Sequence, residues 1–101
     1  MKRKYPKITK HARGQECTIQ LHPYCNENVE TTVFCHAPCE DKGTGIKSPD
    51  WWGAFGCSDC HDLVDMRRRV DIISLDEIRT AHIRGVYRTL KILIEDGLIK
   101  I

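Results

Sequence analysis

The most regular pattern of apolar and polar positions lies near the C-terminus. Leu75, Ile78, His82, Val86, Leu90 and Leu93 recur at steps of three or four, which is one stripe of an amphipathic helix. Ser74-Leu75-Asp76-Glu77 opens it as a capping box. Running to Asp96, the helix is about 33 Å long, and Gly97 stops it. Gly85 inside the pattern costs roughly 1 kcal/mol relative to alanine, which points to a close packing contact there. Leu98-Ile99-Lys100-Ile101 is predicted to add a small terminal strand.

Upstream the period changes. Glu30 to His36 is rich in β-branched and aromatic residues and is predicted to be a strand, with Thr31, Val33 and Cys35 on one face and Thr32, Phe34 and His36 on the other. Trp51 to Gly56 is a second short strand, antiparallel to the first. Trp51 and Trp52 then point to opposite faces, so that one packs in the core. A helix starts near Cys60 or His61 and runs through Leu63, Val64 and Met66 into Arg67, Arg68 and Arg69. Cys17 to Leu21 alternates polar and apolar residues, and His22-Pro23-Tyr24 precedes Cys25, a strand and turn that bring two cysteines together. Residues 37–50, with Pro38, Gly43, Gly45 and Pro49, form an irregular loop of the kind that binds something. Residues 1–14 lack apolar periodicity and read as a mobile basic arm with a helical turn near Thr9 to Arg13.

A chain of 101 residues holds one domain. A core this small is often supplemented by a metal, a disulfide or a partner chain. Six cysteines can provide the supplement. The basic start, Met1 to Lys7, is followed by no apolar run of signal-peptide type, so a reducing cytoplasm is expected. There, clustered cysteines favour metal ligation over disulfides. No run is long and apolar enough to span a bilayer. The net charge of +2 is small, but Lys2, Arg3, Lys4, Lys7, Lys10 and Arg13 crowd the N-terminus and Arg67 to Arg69 form a second cluster. Two such clusters suit a phosphate backbone, although basic runs are more commonly solvated faces.

Cys57-Ser58-Asp59-Cys60-His61 is the centre of the chemistry. A C-x2-C pair supplies half of a tetrahedral zinc site and requires a second pair. Cys17 and Cys25 are the obvious partners, and Cys35 with Cys39 approximates zinc-ribbon spacing as the alternative. Either set leaves His61 surplus, fixed beside the knot at the start of a helix. His36 stands at the end of a strand, where a loop begins. His82 interrupts the apolar stripe as a packing residue, and His11 and His22 take no role.

A strand ending in His36, a loop, a strand, C-x2-C and then His61 on a helix resembles the HNH, or His-Me finger, endonucleases in their zinc-stapled form. Within them the chain looks most like the YbcO family of small prophage-encoded proteins described as nucleases. The matching residues are Arg13-Gly14-Gln15-Glu16-Cys17, Cys25-Asn26, Glu30 to Val33, Gly43 to Asp50 and Cys57 to Asp62. The resemblance implies an α+β, ββα-metal domain in which Cys17, Cys25, Cys57 and Cys60 hold a structural zinc. It further implies that His36 acts as general base on water and His61 as ligand of a catalytic Mg2+ or Mn2+. The acidic residue that commonly precedes the strand histidine is here Cys35, and Asp50 is the positional substitute for the motif's middle asparagine. Arg67, Arg68 and Lys47 are the expected nucleic-acid contacts.

The expected organisation is a basic arm over 1–14, a zinc-containing core over 15–73, and a helix with a short terminal strand over 74–101, all one domain. The expected function is metal-dependent DNA cleavage in phage or prophage recombination or DNA processing, in the host cytoplasm, with a homodimer through the last helix as a possible assembly. The alternative is a non-catalytic zinc module that binds DNA or protein on a degenerate nuclease fold.

Overall fold

The computed structural model describes residues 6–37, 51–68, 70 and 72–99. In chain order the elements are α1 (Pro6–His11), a 3-10 turn (Val29–Thr31), β1 (Val33–His36), β2 (Gly53–Gly56), α2 (Ser58–Val64) and α3 (Leu75–Glu95). The Ser74 hydroxyl accepts from Glu77 N–H and starts α3 as the capping box requires. Gly97, at φ 79°, ends it in the left-handed conformation that glycine adopts most easily. The terminal strand does not form across Leu98 and Ile99, whose amides turn back onto the Leu93 carbonyl. Lys100 and Ile101 lie outside the described residues.

β1 and β2 pair antiparallel with Val33 opposite Gly56, Phe34 opposite Phe55, Cys35 opposite Ala54 and His36 opposite Gly53. The first strand is shorter than expected because Asn28 Oδ1 accepts from Glu30 N–H at 3.0 Å and winds Val29–Thr31 into a turn. An isolated pair of strands is marginal in water, and this one is covered on both faces. On one side Phe34 and Phe55 meet edge-on, with ring centres 6.2 Å apart, and pack with Ile8, Ala12 and Leu93. On the other, Cys35 and Ala54 join Ile19, Leu21, Cys57, Cys60, Leu63, Ile78 and Val86. Trp52 packs against this second cluster while Trp51 is partly exposed.

Two expectations are corrected here. Residues 6–14 are not a free arm: Ile8 and Ala12 are fully buried, and His11 Nε2 lies 2.8 Å from Asp96 Oδ2, tying α1 to the end of α3. Two apolar positions four residues apart are too few to register as periodicity, yet they fill one helical face. The segment Cys17 to Leu21 is not a strand either. It hydrogen-bonds to β2 at one residue, Phe55, and then turns sharply at Gln20, whose φ is 55°.

That single contact closes the outer edge of β2. Thr18 N–H donates to the Phe55 carbonyl at 2.7 Å, and the Thr18 hydroxyl donates to the same oxygen at 3.0 Å. Phe55 N–H lies 3.1 Å from both Thr18 Oγ1 and Thr89 Oγ1, which are 2.8 Å apart. Helix α3 thus reaches the sheet edge through a buried hydroxyl, replacing a third strand. Gly85 lets the helix approach: a Cβ there would stand 3.0 Å from Ala54 Cβ and 3.2 Å from Ile19 Cα.

Thr89 is fully buried, so Thr89→Val, nearly isosteric, removes the hydroxyl without opening a cavity. It is expected to lower unfolding free energy by about 1–3 kcal/mol, the cost of stranding buried polar partners, as read by urea denaturation.

Candidate metal centre and the histidines beside it

Helix α2 begins three residues earlier than His61, and a sulfur starts it. Cys57 occupies the position before the first turn, and its Sγ accepts from Cys60 N–H at 3.5 Å, the role that serine or aspartate usually fills. The turn at Gln20 does the same on the other side, sending Gln20 N–H to Cys17 Sγ at 3.4 Å. Amides aimed at sulfur favour the thiolate over the thiol.

The ligand atoms of Cys17, Cys25, Cys57 and Cys60 all lie within 4.8 Å of one another, with Cys25 and Cys57 Sγ 3.8 Å apart. Four zinc–sulfur bonds of about 2.3 Å in a tetrahedron place the sulfurs about 3.8 Å apart. The arrangement therefore suits a metal ion such as zinc. All five described cysteines are free thiols. The Cys60 thiol hydrogen bond, aided by Gln20 N–H and opposed by burial, holds Cys17 down at about 4. The bond to Cys17 and then burial push Cys60 up, and burial pushes Cys25 up to about 12. Of these three thiols Cys17 is therefore the first to ionise.

Cys35 is apart from this cluster. It is 2% exposed, and its sulfur fills the space over Gly56 beside Ile19. Burial, with the Asp65 charge second, pushes its thiol pKa up. Cys39, the other member of the alternative pair, lies outside the described residues.

Polar side chains bind the pieces of the knot together. Asn26 Nδ2 donates to Ser58 Oγ at 3.0 Å and to Asp59 Oδ2 at 2.9 Å, and Ser58 N–H donates to Thr31 Oγ1 at 3.1 Å. Arg68 Nη1 donates to Asp59 Oδ1 at 3.1 Å and its guanidinium lies 5.3 Å from the centre of the Tyr24 ring. Arg68 is thus part of the scaffold. Arg67 is exposed, 3.8 Å from Asp65 Oδ2. Helix α2 does not run into these arginines. It ends at Val64, and Met66, with φ 62°, turns the chain while the amides of Arg67 and Arg68 return to the Asp62 carbonyl.

His36 is exposed at the end of β1, its ring edge-on to Phe34 at 5.0 Å. His61 is half-buried on α2, and its Nε2 lies 2.9 Å from Asp65 Oδ2. Lys47 and Asp50 lie outside the described residues. Two residues were not foreseen in a functional role. Asp65, four positions after His61, shares its helix face, a spacing visible in the sequence. His82 is 4% exposed, and its Nε2 lies 3.0 Å from the Cys35 carbonyl, immediately before His36. Since a carbonyl only accepts, Nε2 carries the proton. Burial lowers the His82 pKa below 6.5; the Cys35 hydrogen bond and Asp65 oppose this, while His61 and His36 reinforce it. His36, His61 and Asp65 thus all lie within electrostatic reach of one buried imidazole.

The antiparallel pair and short helix gathered on four thiols, closed by a long helix, define a small cysteine-stapled α+β protein. The chain belongs to the YbcO family, with residues 6–98 matching the family described as "Putative nuclease YbcO". It is 36% identical over 94 residues to the protein of that name from Escherichia coli (strain K12), covering 92% of this chain and 96% of the relative. The same identity and coverage hold for "Putative nuclease ybcO" of Enterobacteria phage 82. A solved structure described as a putative bacteriophage protein from Escherichia coli K-12 superposes with a TM-score of 0.72 at 33% identity, over 89% of this chain and 99% of that one. No helix among the described residues is long and apolar enough to cross a membrane.

Protein purified without chelator should carry one zinc per chain. Stripping it should abolish cooperative thermal unfolding, since apparent zinc-binding free energies of about 10–16 kcal/mol exceed the stability of most small domains. Because protons compete for the sulfurs, metal retention should weaken as pH falls. His82 adds a second acid effect. Its folded pKa lies below its unfolded value of 6.5, so its stabilising contribution is complete above that value. As pH falls below it, the unfolded chain takes up the proton first and stability drops until the folded pKa is reached. Zinc-loaded His82→Gln should show a shallower loss of urea stability between about pH 7 and pH 5 than wild type.

Proposed function

We propose that the chain is a metal-dependent endonuclease of the HNH, or His-Me finger, kind that hydrolyses DNA phosphodiester bonds in phage or prophage recombination or DNA processing. The observation that carries this reading is the His61–Asp65 pair: a nitrogen and a carboxylate oxygen 2.9 Å apart, half-exposed, on the helix that the cysteine knot starts. Two ligand atoms at neighbouring corners of an octahedron with bonds of about 2.1 Å stand about 3 Å apart. The pair therefore fits a divalent cation, and the nitrogen donor favours Mn2+ over Mg2+.

On this reading the four thiols hold a structural zinc, while His61 and Asp65 hold the catalytic cation, which when bound neutralises charge building on the phosphate and the leaving oxygen. His36, at the open end of β1, accepts the proton of the attacking water as a neutral imidazole. His82 holds the Cys35 carbonyl and so fixes the strand end from which His36 projects. Asp65 places an acidic group at the site although residue 35 is a cysteine. Asp50 and Lys47 keep their expected roles as an orienting or metal-binding carboxylate and a phosphate contact. Of Arg67 and Arg68, Arg67 is the more available to DNA, because Arg68 is held by Asp59 and Tyr24.

Zinc-loaded protein with Mn2+ is expected to nick supercoiled plasmid. His36→Ala at equal zinc content should lose about 100-fold or more in rate, the usual contribution of a general base, and Asp65→Asn should require more Mn2+ for half-maximal rate. If no DNA form is cut by the wild type with either cation, the non-catalytic zinc module replaces the enzyme.

A further inference from the structure

Between Ile78 and Ile94 the long helix contains Arg79, Arg84, Arg88 and Lys91 and no acidic residue; Asp76 and Glu77 precede this stretch and Glu95 and Asp96 follow it. Here the basic residues are separated from acidic ones, in contrast to Arg67 and Arg68, which lie beside Asp65 and Asp59. Arg79, Arg84 and Lys91 are exposed, and among the described residues none of them forms an ion pair.

Arg84, Tyr87, Arg88 and Lys91 fall at i, i+3, i+4 and i+7, which places them on one face of α3. Tyr87 is 67% exposed, an unusual position for a large ring in a monomer that has no use for it. Lys91 Nζ lies 5.9 Å from the centre of that ring. Arg88 is anchored by a 2.7 Å hydrogen bond to the Thr18 carbonyl, so its charge is held in place. A groove of about 490 Å³ runs alongside, with Gln20 and His22 on one wall and Arg84 and Arg88 on the other. Asp76 and Glu77 line the same groove at the end nearer the start of the helix. From Arg84 to Lys91 the helix rises about 10 Å, so the three cations are spread along the helix rather than gathered at one point.

We infer that this face of α3 is a docking track for single-stranded DNA, in which Arg84, Arg88 and Lys91 contact successive phosphates and the Tyr87 ring stacks on an unpaired base. The argument is charge complementarity joined to an exposed aromatic platform, the combination by which small domains hold single strands. Bases in a duplex are stacked on one another and offer no face to Tyr87, so a single strand is the form that uses the whole surface. The acidic pair at Asp76 and Glu77 repels phosphates and marks where the track ends. The inference extends the proposed function by supplying a strand-binding surface, but it does not require that the strand be cut.

The test measures fluorescence anisotropy of zinc-loaded protein with a labelled oligothymidylate about 15 nucleotides long, within the site sizes of small strand-binding folds. No Mn2+ or Mg2+ is added, so cleavage plays no part. Arg84→Gln combined with Lys91→Gln should weaken binding about tenfold or more and reduce the slope of log affinity against log salt by about 1.4, two contacts at about 0.7 each. Tyr87→Ala should weaken single-strand binding about fivefold or more and leave duplex binding unchanged, while Tyr87→Phe keeps wild-type affinity. These side chains are exposed, and unchanged zinc content and circular dichroism establish that each variant is folded. An unaltered Kd and salt slope in the double variant overturns the track, whatever the plasmid assay shows. Equal losses on single strand and duplex in Tyr87→Ala overturn the single-strand assignment.

Discussion

Everything near the candidate site depends on the convergence of four sulfurs drawn from two distant stretches of chain. Cys17 and Cys25 belong to a segment with no regular secondary structure, and Cys57 and Cys60 bracket the first turn of α2. Neither stretch is fixed by its own backbone. A loop with one exposed turn and a helix of seven residues would both be marginal alone. Bringing them to one metal-sized cluster fixes the start of α2, its azimuth and the position of β2 immediately before it. The Asn26 contacts to Ser58 and Asp59, and the Thr31 contact to Ser58, then tie the same two stretches a second time at the surface.

The sheet solves a related problem with hydroxyls. Two strands leave two open edges, and buried edges must find partners. At β2, Thr18 and Thr89 satisfy Phe55 completely, while His82 reaches the Cys35 carbonyl, which faces Ala54 inside the ladder, and gives it a further partner. Both helical partners come from the buried face of α3, which is why that face is not purely apolar. Replacing an entire strand by two threonines keeps the domain small and leaves the end of β1, where His36 stands, open to solvent.

The residues that announce themselves by spacing were legible in the sequence: the capping box, the apolar stripe of α3, the close approach at Gly85 and the cysteine pairs. What escaped was whatever depends on a partner distant in the chain. Thr89 lies in the α3 stripe but reads as an ordinary polar residue until Phe55 is placed against it. His82 is an interruption until the Cys35 carbonyl lies 3.0 Å away. Ile8 and Ala12 belong to a stretch dominated by charge, and only the pocket formed by Phe34, Phe55 and Leu93 gives them a core to enter. The end of α2 is not legible because Met66 and the arginines have good helix propensity, and nothing local marks Met66 for a left-handed turn. Asp65 is the instructive exception, since its spacing from His61 was in plain view and lacked only the knowledge that the helix ends there.

Helix α2 sorts its donors by chemistry within two turns. Cys57 and Cys60 lie on the side that faces the other thiols, and His61, one residue on, is rotated about 100° away from Cys60. Asp65, one turn later, returns to the side of His61. Soft sulfur and harder nitrogen and oxygen donors are thereby separated on one short rigid element, and on the proposed reading this keeps the two sets from competing for the same ion. Their proximity also couples them mechanically. The sulfur of Cys57 caps the helix through the Cys60 amide, and the His61 amide donates to the Cys57 carbonyl at 2.8 Å. Any change that loosens the knot therefore turns His61, so that on the proposed reading the four thiols set the position of the His61–Asp65 pair as well.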